Sequence, residues 1–90
     1  MVKPKYKPSI ISQDSSAILR NLILFNDEIN TFDFVIQSLI EVCDHEPEQA
    51  EQCAMIAHFK GKCSVKAGDY TEIKPLGDQM VLRGLTVSIE

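Results

Sequence analysis

The side chains best suited to chemistry are Asn26, Asp27 and Glu28 in one run, the imidazoles of His45 and His58, and the thiols of Cys43, Cys53 and Cys63. His58 with Asp27 would make an acid–base pair, and a cysteine beside a base would be a nucleophile. Neither has the company an enzyme needs: there is no phosphate-cradling loop, no oxyanion motif and no paired-carboxylate motif. Cys43, His45, Cys53, His58 and Cys63 offer possible metal ligands, but no two cysteines keep the close spacing of structural zinc sites. The expectation is therefore a binding protein, with no catalytic residue, no metal and no cofactor.

Ninety residues make one domain at most, with 44% apolar and 24% charged side chains, ordinary for a globular chain. A chain this small buries a modest fraction of its surface, so a site belongs in a surface groove. The net charge of −4 is uneven. Residues 1–20 hold Lys3, Lys5, Lys7 and Arg20 against Asp14, a balance of +3; residues 21–90 hold five basic and twelve acidic groups, a balance of −7. Such a surface repels phosphate backbones, so no nucleic acid is expected as a partner. Apolar runs of four or five residues fall far short of a membrane span of roughly 20, so no membrane is expected either. An odd number of cysteines suits free thiols in a reducing cytoplasm.

The elements that must position these groups follow from periodicity. Residues 1–19, with Pro4, Pro8 and four serines, read as a flexible N-terminal arm. Leu22 to Phe25 reads as a strand buried on both faces, and Asn26 to Asn30 as a loop. Asn30-Thr31-Phe32-Asp33 has the pattern of a capping box, with Asn30 as the cap. Phe32, Val35, Ile36, Leu39 and Cys43 then recur at helical spacing. Pro47 opens a second helix that runs to Phe59 or Lys60 and stops at Gly61. Cys63, Val65 and Ala67 alternate as a strand, and Gly68-Asp69 is a turn. Pro75 to Arg83 reads as a short helix with Leu76, Met80 and Val81 inward. Leu85, Val87 and Ile89 alternate as a last strand. The sequence predicts an α+β domain over 20–90: a three-stranded antiparallel sheet with three helices on one face, in β-α-α-β-α-β order.

Ala50, Ala54, Ala57 and His58 share one side of the second helix. Two readings stay open here: close helix packing, or a pocket walled by Ala54 and Ala57 with His58 at its rim.

The run Leu22-Ile23-Leu24-Phe25-Asn26-Asp27-Glu28, followed by Asn30-Thr31-Phe32-Asp33-Phe34-Val35 and by Ala54-Met55-Ile56-Ala57-His58-Phe59-Lys60-Gly61-Lys62, resembles the ClpS family. These adaptors recognise destabilising N-terminal residues (N-degrons, the N-end rule) and pass their bearers to a Clp AAA+ unfoldase. The resemblance covers about residues 20–67 and returns at Leu85 to Glu90. It implies that Asn26, Asp27 and His58, with Glu28 adding field, bind a free α-amino group. It implies an apolar pocket of Ile29, Phe32, Val35, Ala54, Ala57 and Leu85 for the first side chain. It also implies as partners a ClpA- or ClpC-type unfoldase and substrates beginning with Phe, Tyr, Trp or Leu, with Glu72 near an unfoldase contact and the arm engaged in delivery. The chain departs from the family where Ala54 and Phe32 replace the usual methionines. The competing implication is an interaction module without N-terminal recognition, since the fold type also resembles a ribosomal stalk C-terminal domain, which lacks such a loop facing a His.

Overall fold

A computed structural model describes residues 18–90. The arm expected over 1–19 therefore lies outside the described residues, apart from Ile18 and Leu19, which are exposed. The elements are β1 (Arg20–Phe25), α1 (Phe32–Cys43), α2 (Pro47–Lys60), β2 (Lys62–Gly68), α3 (Tyr70–Leu82) and β3 (Val87–Ile89), in the expected order. The strands pair antiparallel with β1 between β2 and β3. Leu22 and Leu24 of β1 face the helices and join Leu39, Cys43, Ala50, Ala57, Val65, Ile73, Met80 and Leu85 in one core. On the opposite face Ile23 lies between its cross-strand partners Ser64 and Ser88, yet is itself buried, as expected of a central strand.

The strand β2 departs from simple alternation. Leu22 pairs with Lys66 but Ile23 with Ser64, so Val65 is an extra residue in a bulge. The bulge shifts the parity of the strand beyond it. Lys66 turns toward the helices and its Nζ donates to the Cys43 carbonyl at 3.2 Å, while Ala67, expected inward, is exposed. The Val65 carbonyl, out of the ladder, lies 2.6 Å from Nε2 of buried His45. A carbonyl only accepts, so Nε2 donates, and Nδ1 is buried without a hydrogen-bond partner among the described residues.

Two helix starts also differ from expectation. Thr31, not Asn30, caps α1: its Oγ1 accepts from the Phe34 N–H at 3.0 Å. The helix α3 begins at Tyr70, five residues before the expected Pro75, because Asp69 and Glu72 form a capping box. Asp69 accepts from the Glu72 N–H at 3.0 Å and Glu72 accepts from the Asp69 N–H at 3.2 Å. Pro75 thus sits inside α3, which at 13 residues is longer than the short helix expected. Of the residues expected inward, Met80 is buried and Leu76 packs half-buried against the core, while Val81 is exposed; Ile73 and Gly77 complete the buried face.

Candidate functional site

The site is built where β1 ends. The Asn26 N–H donates to the Gly61 carbonyl at 2.9 Å. Gly61 itself closes α2: at φ 96° it occupies the left-handed region, and its N–H bonds to Ala57. One glycine thus stops the helix and anchors the loop, which brings Asn26 to the helix turn that carries His58. The His58 ring is exposed and packs edge-on against Phe59, with centroids 4.9 Å apart.

Asp27 organises the loop behind Asn26. Its Oδ1 accepts from the N–H groups of Ile29 and Asn30 at 3.0 and 2.9 Å, and its Oδ2 accepts from the Asn30 side-chain amide at 2.9 Å. The same Asn30 Nδ2 donates to the Gly84 carbonyl at 2.9 Å. Burial works to raise the Asp27 pKa, but the bonds from the Asn30 N–H, the Asn30 amide and the Ile29 N–H outweigh it and hold the carboxyl below its ordinary 3.8. Asn30, expected to cap the helix, is turned back on Asp27 instead.

Between this loop, α1 and α2 lies an open cleft of about 550 Å³. Phe32 and Val35 from α1, Ala54 and Ala57 from α2, and Leu24 and Phe25 from β1 give it apolar walls; Asn26, Asp27, Glu28, Asn30 and His58 complete the lining. Of the expected residues, Asn26, Asp27, Glu28, His58, Phe32, Val35, Ala54 and Ala57 are brought together there. Ile29 and Leu85 are not in the lining: Ile29 is 90% exposed at the loop tip, and Leu85 is buried in the core. Glu72 lies in the first turn of α3, its carboxylate engaged in the capping box. Leu24, Phe25 and Asn30 were not expected at the site. The first two could have been inferred, since the residues ending a strand must border the adjoining loop.

The described lining holds two carboxylates, one imidazole and no Lys or Arg, so it favours a cation over an anion. An apolar cavity beneath a cluster of acceptors fits a ligand with an ammonium head and a hydrophobic branch. The thiols are poorly placed for nucleophilic work. Burial pushes Cys43 up to about 11, and burial together with the neighbouring Cys63 pushes Cys53 up to about 12. Among the described residues no group of three or more His, Cys, Asp or Glu is arranged to hold a metal ion. Nor is any described helix long and apolar enough to cross a membrane.

The family model of the ATP-dependent Clp protease adaptor protein ClpS matches residues 19–87. The ATP-dependent Clp protease adapter protein ClpS of Nitratidesulfovibrio vulgaris (strain DSM 19637 / Miyazaki F) is 34% identical over 55 residues. That match covers 59% of this chain and 55% of the relative, so the chain spans about half the length of the curated relative it matches. Among solved structures, Agrobacterium tumefaciens ClpS2 bound to L-phenylalaninamide superposes with a TM-score of 0.68 at 24% identity, covering 80% of this chain and 94% of that one. At that identity the likeness shows a shared fold.

Proposed function

The chain belongs to the ClpS family, whose members are adaptors of the ATP-dependent Clp protease and not enzymes, and we propose that it captures proteins by a free α-amino group and a bulky hydrophobic first side chain. The captured protein is then delivered to a ClpA- or ClpC-type AAA+ unfoldase in the cytoplasm for ATP-dependent proteolysis. Asn26, Asp27 and His58 receive the amine and Glu28 adds negative field. Phe32, Val35, Ala54 and Ala57 surround the side chain. Ile29 and Leu85 act from the loop tip and from the core behind the cleft. Glu72 and the N-terminal arm are the surfaces proposed to meet the unfoldase.

The observation that carries this function is the cleft itself, where acceptors with no Lys or Arg among the described lining border an apolar cavity. An α-amino group, with a pKa of about 7.7–8, is mostly a cation with three N–H donors at neutral pH. Each charge-assisted hydrogen bond it makes contributes roughly 1.5–3 kcal/mol. A buried aromatic ring removes about 150–250 Å² from water, which at about 25 cal/mol per Å² is on the order of 4–6 kcal/mol. Losses on association leave affinity in the micromolar range or slightly tighter. L-phenylalaninamide, bound by the A. tumefaciens relative, has this same pairing of free amine and aromatic side chain.

The small side chains of Ala54 and Ala57 leave the cavity wide, so bulkier and β-branched first residues are accepted. A panel of labelled peptides beginning with Phe, Tyr, Trp, Leu or Ile, read by fluorescence anisotropy, tests both claims. Micromolar binding across the panel, lost on N-acetylation and narrowed by Ala54→Met, is expected. Equal affinity for free and acetylated peptides would leave an interaction domain without N-terminal recognition, and a preference for Leu alone would refute the widened cavity.

A further inference from the structure

The Asp27 carboxylate has about four lone-pair sites, and the loop uses three of them. Both sites on Oδ1 are taken by the N–H groups of Ile29 and Asn30. On Oδ2 one is taken by the Asn30 amide and, among the described residues, one remains. We propose that Asn30 is the positioning residue of the amine site: its side-chain amide fixes the Asp27 carboxylate so that the one free lone pair of Oδ2 is presented to the ligand's ammonium. The proposal rests on the cleft being an amine site, and it adds a residue that touches Asp27 and Gly84 rather than the amine.

The orientation of the Asn30 amide is set by its partners. Both the Asp27 carboxylate and the Gly84 carbonyl are acceptors, so only the NH₂ end can serve them, one hydrogen to each. The second bond moors the loop to a fixed point. Gly84, at φ 85°, sits in the turn after α3, where its N–H bonds to Val81 and the Leu85 N–H bonds to Met80. The adjacent Arg83 pairs with Glu41 at 2.8 Å and donates to Ser38 at 3.3 Å, tying the same turn to α1. A carboxylate held from both sides gives up little orientational freedom when the ammonium arrives.

The test combines binding with titration. Asn30→Ala is expected to weaken a Phe-initiated free-amine peptide by about tenfold, the scale of one lost charge-assisted contact. In an Asp27→Ala background the same change should have little further effect, because it acts through Asp27. Losses that simply add would overturn the proposal. NMR titration of the Asp27 carboxyl provides a readout without ligand: in Asn30→Ala its midpoint should move up toward the ordinary carboxylate range. Wild-type affinity together with an unmoved Asp27 midpoint in Asn30→Ala would overturn the clamp alone. Absence of free-amine binding by the wild-type protein would instead overturn the amine site, and with it the role assigned to Asn30.

Discussion

At the scale of single residues, Asp27 organises the loop and is the carboxylate proposed to meet the amine, and its titration reports on the loop directly. Its folded-state pKa lies below the ordinary 3.8 because the bonds from Asn30 and Ile29 outweigh burial. A depressed carboxylate contributes stability that is present above the unfolded value and is lost as pH falls through the folded one. The Ile29 and Asn30 amide signals should therefore keep their native shifts from neutral pH down to about pH 4, the ordinary range of an aspartate, and collapse only below it. Loss of those shifts by pH 5 would contradict the hydrogen bonding described. Asn26, Asp27 and His58 were singled out through the resemblance to the ClpS family, and the fold places all three on one cleft. The role of Asn30 could not. Its neighbours suggest a helix cap, while its actual partners are a carboxylate three residues back and a carbonyl 54 residues on.

Among the elements, the helices were legible where apolar spacing and caps agree, and misplaced where two local signals competed. Pro47 and Gly61 bracket α2 as their chemistry requires. In α3 the start was expected at Pro75, but the Asp69–Glu72 capping box forms upstream and the helix continues through Pro75. Pro75 has no N–H to offer the Thr71 carbonyl, so the caps and the buried face of Ile73, Gly77 and Met80 must offset that lost bond. Asp69→Ala should accordingly lower the melting temperature by a few degrees in a calorimetric scan without changing the fold. An unchanged melting temperature would show that tertiary packing alone sets the start of α3. The bulge at Val65 left no trace in the sequence, since Cys63 to Ala67 alternates as cleanly as an unbroken strand. It arises from the register of β1 and is completed by His45 on the Val65 carbonyl.

For the whole molecule, architecture was more legible than the site. The α+β class and the order of elements are sums of local patterns, and each strand and helix contributes its own. The cleft belongs to no single element. It is the space that Ala54 and Ala57 decline to fill opposite Phe32 and Val35, closed at one end by a loop that Gly61 and Gly84 hold in place. A stripe of small residues on a helix is equally compatible with close packing, so only the assembled fold distinguishes the two. The acidic balance of residues 21–90 works in the same direction, favouring a cationic head group over a phosphate backbone. The most direct measurement is a two-dimensional NMR titration of the protein with L-phenylalaninamide and, separately, with its N-acetylated form. The free amine should shift Asn26, Asp27, Asn30 and His58 together with Val35, Ala54 and Ala57, and the acetylated form should shift none of them. Matching shifts from both compounds, or shifts confined to residues outside the cleft, would contradict the account.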